Sequence, residues 1–305
     1  MCGIFGAIRR AGYFDAQDHA RFVACTHVVD HRGPDGFGTV ALDGKGGRVG
    51  SPDRFDVFLG HLRLAIIDLR ECANEPMSQD DDSLWITFNG EIYNYVELRE
   101  ALRKEHGYPF RTDGDTEVIL GQYSRHGAHG FRALNGMWAF ALADLRKRQV
   151  ILSRDRFSEK PLYYFERDDG FYFASEIKQL LPLVGSPEID RRTMALYLRQ
   201  GLLDCEPATF IRGIRQVRSR HNLIVPLDGG PIRESPYWDY TVREDRRPLD
   251  ETAAELRELL TDAIRIRLRS DVKVGTLLSG GLDSSTIAVV ANRLSGGRLE
   301  SYSVV

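Results

Sequence analysis

The chain has 305 residues, with 41 Lys and Arg against 44 Asp and Glu and a formal net charge of -3. That balance offers no basic surface for the phosphate backbone of nucleic acid, and a composition of 42% hydrophobic and 28% charged residues is that of a soluble protein with room for about two domains. Apolar runs such as Met137 to Ala143 fall far short of the roughly 20 residues that span a bilayer, and the N-terminal patch Ile4 to Ile8 has no charged region before it, so neither a membrane span nor a signal peptide is expected.

The cysteines Cys2, Cys25, Cys72 and Cys205 lack the spacing of a zinc site or a disulfide framework, and a reducing cytoplasm is the expected compartment. Cys2 lies in the opening stretch Met1-Cys2-Gly3-Ile4-Phe5-Gly6. Once Met1 is removed, Cys2 carries a thiol and a free α-amine on one carbon. A terminal amine titrates near ~7.7 to 8 and a thiol near ~8.5, so the amine can relay the thiol proton and serve the nucleophile as its own base. The plainer reading is a buried cysteine at the start of an edge strand.

Residues 3 to 9 read as a strand, and Asp15 to Val29 has helical spacing with Phe22, Val23 and His27 on one side. His31-Arg32-Gly33-Pro34-Asp35-Gly36-Phe37-Gly38 is dense in turn formers but holds more charge than a turn requires. Residues 55 to 60 lead into a second buried strand, His61 to Ile67, followed by Asp68. Arg63 lies there among apolar neighbours, and a buried guanidinium needs an anion. Asp68 would serve, and so would the α-carboxylate of a bound amino acid in a two-point fork.

Residues 83 to 88 form a strand that ends in Asn89-Gly90-Glu91. Asn-Gly is a strong tight-turn signal, yet an Asn amide beside the N–H of an unhindered Gly also suits an oxyanion hole. A helix is expected over Glu97 to His106. Asp115 or Thr116 caps the next helix, and Asp115 could equally hold a ligand ammonium at its start. Strands at Gly136 to Asp144, Gln149 to Asp155, Leu162 to Phe165 and Phe171 to Ala174, with helices between and after them, argue for two stacked sheets covered by helices.

Asp190 to Gln200 reads as a helix, and residues 201 to 247 as irregular with short strands. The charge run Arg243 to Arg247 before Pro248 looks like an interdomain link, and a long helix is expected over Leu249 to Arg269. Next come a strand, Val272 to Leu278, a Gly-rich turn, Ser279-Gly280-Gly281-Leu282-Asp283-Ser284-Ser285, and a helix from Thr286. Amides and hydroxyls at a helix N-terminus form an anion site suited to phosphate, although the lysine of the common P-loop is missing.

In this order, MCGIFG, HRGPDGFG, LRLAIID, FNGEIYN, DGDTEVIL, MWAFALAD and RDRFSEKPLYY resemble the class II glutamine amidotransferases, and SGGLDSS resembles the pyrophosphate loop of ATP-pyrophosphatase domains. The combination is similar to the glutamine-hydrolysing asparagine synthetases. The resemblance implies an α+β fold: an N-terminal-nucleophile αββα sandwich of two stacked antiparallel sheets flanked by helices over residues 2–220, a junction at 221–248, and the beginning of an α/β ATP-pyrophosphatase domain at 249–305, truncated relative to the family.

It also implies Cys2 as the nucleophile on the side-chain amide of glutamine, Arg63 on the α-carboxylate, Asp115 on the α-ammonium, and Asn89 with Gly90 as the oxyanion hole. Glu91 and the segment Leu64, Ala65, Ile66 and Ile67 would complete the glutamine site. ATP would meet Leu278, Ser279, Gly280, Gly281, Asp283, Ser284, Ser285 and Val304, with Asp283 placing Mg2+. The implied substrates are glutamine, ATP and aspartate or another carboxylate acceptor; a homodimer or a complementing C-terminal synthetase chain is the partner left open.

Three departures stand out. Ser158 takes the place of a family Gly, Arg218-Ser219-Arg220-His221 replaces a Pro-Pro-Gly turn, and the chain stops about one strand past the phosphate loop. Glutamine hydrolysis is therefore expected of this chain unaided, and asparagine synthesis is not.

Overall fold

The computed structural model describes residues 1–44, 47–79 and 81–304, which fall into two units: Met1–Ala65 with Arg70–Asp239, and Ile66–Leu69 with the chain from Tyr240 onward. The first unit opens with β1 (Gly3–Arg9), α1 (Ala16–His27), β2 (Gly36–Asp43), β3 (Gly47–Arg48), β4 (Val57–Arg63), β5 (Met77–Ser78) and β6 (Leu84–Ile92). It continues with α2 (Tyr95–His106), α3 (Thr116–His126), β7 (Gly136–Asp144), β8 (Gln149–Arg154), β9 (Tyr163–Arg167) and β10 (Gly170–Ala174). It closes with α4 (Ile177–Val184), α5 (Arg191–Gln200), β11 (Ile214–Gln216), β12 (His221–Pro226) and β13 (Arg233–Pro236).

The strands form two antiparallel sheets, ordered β11-β9-β10-β1-β4-β2-β3 and β13-β12-β8-β7-β6-β5. Three apolar layers hold them. Ile4, Ile8, Leu59, Ala139, Ala141 and Leu152 fill the space between the sheets. Phe5, Phe22, Phe58 and Tyr172 pack the first sheet under α1 and α4, and Phe88, Ile119, Trp138 and Phe140 pack the second against α3. The arrangement is a four-layer αββα sandwich. It explains why β1 reads as uniformly apolar: Ile4 and Ile8 face one layer and Phe5 and Ala7 the other, so both faces of the strand are covered.

Among the described residues, two hydrogen bonds tie β4 of the first sheet to β6 of the second. Thr87 Oγ1 donates to the Gly60 carbonyl at 3.1 Å, and His61 Nε2 donates to the Phe88 carbonyl at 3.0 Å. β6 runs unbroken through Asn89 and Gly90, paired with β7, so the Asn-Gly dipeptide makes no turn. β4 ends at Arg63, four residues before the expected end of its strand. Residues 221–236, read from sequence as part of the junction, supply β12 and β13 to the second sheet, so the sandwich extends past residue 220.

The second unit holds α6 (Leu249–Arg267), β14 (Gly275–Leu277), α7 (Leu282–Leu294) and β15 (Glu300–Tyr302). β14 and β15 pair in parallel with α7 as the crossover, and α6 packs on α7. The segment Ile66–Leu69 joins this unit: the Asp271 amide donates to the Ile66 carbonyl at 3.0 Å, and the Asp271 carboxylate accepts the Asp68 amide at 2.7 Å. Among the described residues no helix is long and apolar enough to cross a membrane.

Candidate active site

The two bonds between β4 and β6 set the site's location. Residue 60 meets 87 and residue 61 meets 88, so Asn89 and Gly90 run beside Leu62 and Arg63. Gly3 is the register partner of Leu62 on β1, which brings the half-buried Cys2 to the same level. The thiol is bracketed by one residue: the Leu64 amide donates to Cys2 Sγ at 3.4 Å, and Sγ lies 3.7 Å from the Leu64 carbonyl. Burial raises the thiol to about 11, the Glu75 carboxyl adds to the rise, and the Leu64 amide pulls against it. With Met1 in place its ammonium lies nearby, lowered from its ordinary value by burial.

Asn89 shares its face of β6 with its partner Ala139, the face turned toward the first sheet. Its side chain is 1% exposed, and Nδ2 is buried with no hydrogen-bond partner among the described residues. A buried donor left idle costs free energy and so marks a place where an acceptor belongs.

The Gly90 amide points the same way by a separate argument. Trp138, opposite Gly90, gives its amide to Asp155 Oδ2 at 3.2 Å and receives the Asp155 amide on its carbonyl at 2.9 Å. Gly90 and Trp138 are therefore a pair that exchanges no hydrogen bonds, and the Gly90 N–H turns away from β7. The strand on that side, β5, reaches only Trp85 and Ile86. A Cβ on Gly90 would sit 2.2 Å from the Met137 carbonyl oxygen and 2.8 Å from Trp138 Cα, so only glycine fits.

Phe88 and Ile92 turn their amides outward with Gly90. Glu75 Oε2 takes the first at 2.6 Å and Asp115 Oδ2 the second at 2.8 Å. Asp115 stands at the N-cap position of α3 without making a capping bond, and burial raises it to about 6 against the pull of the Ile92 amide. Arg63 is 8% exposed, and its guanidinium donates to the Arg70 carbonyl at 3.1 Å and to Asn74 Oδ1 at 2.8 Å. The Ala65 amide is held by Asp35 Oδ2 at 2.9 Å, and half-buried Glu91 follows Gly90 on β6. Ile66 and Ile67 group with the second unit.

Sequence reasoning missed the residues behind these. Arg32 Nε donates to the Cys2 carbonyl at 2.9 Å, Nη1 reaches Glu176 at 3.0 Å, and Nη2 is buried without a hydrogen-bond partner among the described residues. Its signal was the surplus charge in the turn-rich stretch. Lys160, 6% exposed, lies in the field of Cys2, and burial lowers its ammonium from its ordinary value; Asp155 fixes its loop by accepting the amides of Phe157, Glu159 and Lys160 at 2.9 Å each. Two of the three departures noted in the sequence include left-handed backbone, Ser158 at φ 61 and Arg220 at φ 65.

In the second unit, α7 starts at Leu282, so Asp283, Ser284 and Ser285 form its first turn and no side chain caps it. Gly280 takes φ 80, the Ser279 and Ser284 hydroxyls lie 3.0 Å apart, and the half-buried Leu278 bonds to the Tyr302 carbonyl at 2.8 Å. Val304 is fully exposed. Free amides and paired hydroxyls suit phosphate. Among the described residues no group of three or more His, Cys, Asp or Glu is placed to hold a metal ion.

A four-layer αββα sandwich with a half-buried cysteine at the head of a central strand is the architecture of the N-terminal-nucleophile amidotransferases. Residues 1–238 match the family model of the glutamine amidotransferase domain, and the chain belongs to that family; residues 255–305 match the asparagine synthase model. Asparagine synthetase (glutamine-hydrolyzing) 1 of Bacillus subtilis is 34% identical over the whole chain, which covers 46% of that protein. A Methanocaldococcus jannaschii homologue is 36% identical, again over the whole chain and 59% of its own length. Amidase chry2 of Gibberella zeae is 33% identical over 96% of this chain and 43% of its own. The chain thus spans about half the length of these relatives. Among solved structures, the glutamine phosphoribosylpyrophosphate amidotransferase of B. subtilis aligns with TM-score 0.59 at 22% identity, over 99% of this chain and 65% of that one, a likeness in fold.

Proposed function

We propose that the first unit hydrolyses glutamine and that the ammonia serves ATP-dependent amide synthesis, as in a glutamine-hydrolysing asparagine synthetase of the cytoplasm. The observation that carries this reading is the idle Asn89 Nδ2 beside the outward Gly90 amide at the level of the Cys2 thiol. With Met1 removed, the Cys2 α-amine takes the thiol proton and the sulfur attacks the side-chain amide carbon of glutamine. Asn89 and Gly90 receive the developing oxyanion. Collapse expels ammonia, which takes up the relayed proton, and water then hydrolyses the glutamyl thioester to glutamate and the free thiol. Arg63 orients the α-carboxylate and Asp115 the α-ammonium, with Leu64, Ala65 and Glu91 lining the segment.

At the start of α7, Leu278, Ser279, Gly280, Gly281, Ser284, Ser285 and Val304 would hold ATP, with Asp283 the one carboxylate offered to Mg2+. When bound there, ATP would activate the β-carboxylate of aspartate. Because a relative of similar identity bears the name of an amidase rather than of an asparagine synthetase, a second reading leaves the acceptor open to another carboxylate. Glutamate release by Met1-processed protein, absent in Cys2→Ala, is the expected result; equal release by both would refute the assignment. ATP-dependent consumption of aspartate, tested with the chain alone and with a complementing synthetase chain, separates the two acceptors.

A further inference from the structure

Glu75 has no part in the chemistry above, yet it meets three elements of the site. It is 7% exposed. Its Oε2 accepts the Phe88 amide of β6 at 2.6 Å, its Oε1 accepts the Thr116 hydroxyl at the start of α3 at 3.0 Å, and His61 Nε2 of β4 lies 3.7 Å from Oε2. Phe88 precedes Asn89, Thr116 follows Asp115, and His61 is two residues before Arg63. Preceding it, Asn74 holds the Arg63 guanidinium.

We propose that Glu75 is a positioning residue for glutamine hydrolysis, one carboxyl group that sets the spacing between the oxyanion donors on β6 and the ammonium-binding Asp115 on α3. The proposal rests on the glutaminase reading. Together Glu75 and Asp115 occupy the outward amides on either side of Gly90, so the amide between them stays open for the substrate.

The surroundings also dictate the form in which Glu75 works. Facing it are His61 and Arg63 from β4, Cys2 from the start of β1, Asp115 and the Thr116 hydroxyl from α3, and the Phe88 amide from β6. His61 is fully buried and held down to about 4, so it brings no charge, while Asp115 and a Cys2 thiolate are like charges. Arg63 opposes them at Glu75, but burial outweighs it. Glu75 accordingly keeps its proton, raised by burial to about 8, and its ionisation above that value repels the Cys2 thiolate.

Glutamine at this position mimics the neutral acid and can satisfy both contacts, since the Thr116 hydroxyl accepts as readily as it donates. The test compares wild type, Glu75→Gln and Glu75→Ala by glutaminase kcat and KM and by the pH profile of Cys2 alkylation with iodoacetamide. Glu75→Gln should keep kcat/KM within about threefold at neutral pH and shift the alkylation profile to lower pH. A folded Glu75→Ala should lose on the order of 10- to 100-fold in kcat/KM, through KM as Asp115 moves and through kcat as Asn89 moves.

An alkylation profile for Glu75→Gln that superimposes on the wild-type curve overturns the coupling to Cys2, and wild-type kcat and KM in folded Glu75→Ala overturn the positioning role. Should the alanine variant fail to fold, the glutamine variant decides: a loss of activity at neutral pH counts against the neutral acid. A wild-type protein that releases no glutamate refutes the glutaminase reading separately, because the alkylation profile still reports on Glu75.

Discussion

Replacing Asn89 by alanine should divorce activity from stability. Most buried polar residues are bonded, and truncating them costs stability. Among the described residues Asn89 Nδ2 has no hydrogen-bond partner, and leaving such a donor in a dry site costs about 1 to 3 kcal/mol. Truncation removes that cost together with packing contacts worth on the order of 1 kcal/mol. The net is a protein as stable as wild type or more stable by up to about 2 kcal/mol, a rise of several degrees in Tm for a unit of this size. Loss of one oxyanion donor should in contrast lower kcat by about 10²- to 10³-fold, or about 2.7 to 4 kcal/mol, with KM little changed because the donor acts on the tetrahedral oxygen. Glutamate release measured against glutamine concentration, beside a thermal melt, reads both quantities. A kcat within tenfold of wild type, or a Tm that falls by more than about 5 °C, would show that the idle amide is not held for the reaction.

Other changes test other parts of the site. Asp115→Asn should raise the KM for glutamine by at least tenfold, since an amide can still accept the Ile92 N–H but cannot pair with an ammonium. For the same reason, wild-type kcat/KM should fall as pH drops through about 6, where Asp115 takes up its proton; a flat profile would remove Asp115 from the binding site. Gly90→Ala must push a Cβ against the Met137 carbonyl and Trp138, and a loss of about 3 kcal/mol in urea unfolding is expected, with a wild-type midpoint as the contrary result. Ser158→Gly should stabilise by about 1 kcal/mol by relieving left-handed backbone, and a destabilised variant would mean that the serine side chain matters there.

The sandwich could be read from sequence where strands carried uninterrupted apolar runs, as in β1 and β7, because a short run without polar positions suits a strand covered on both faces. Asn89-Gly90 was ambiguous for a physical reason: the residues that favour a tight turn are also those that suit an oxyanion hole, and only pairing with β7 excludes the turn. The neutral neighbours of Arg63 had no signal in the sequence, because its Nη1 reaches a main-chain carbonyl and an Asn side chain in a segment with no periodicity of its own. Glu75 was invisible for a related reason. A lone acid in the loop before β5 carries no local pattern, and its importance arises from three elements that meet only after the sheets stack. The strand, glycine turn and helix around residues 279–285 were legible by composition, although Ser284 and Ser285 belong to the helix and only Ser279 precedes it.

The sheet order has a temporal consequence. β1, with Cys2 at its head, lies between β4 and β10, and the Ile4 amide finds its acceptor, the Ser175 hydroxyl, 171 residues further along the chain. Closing a loop of that length is entropically costly, and pairings so distant in sequence form late. The dry surroundings that raise the thiol cannot exist on a partly folded chain. During refolding, protection of Cys2 from alkylation and the appearance of glutaminase turnover should therefore arrive together, behind the local hairpins, so that a chain still searching for its fold exposes an ordinary cysteine.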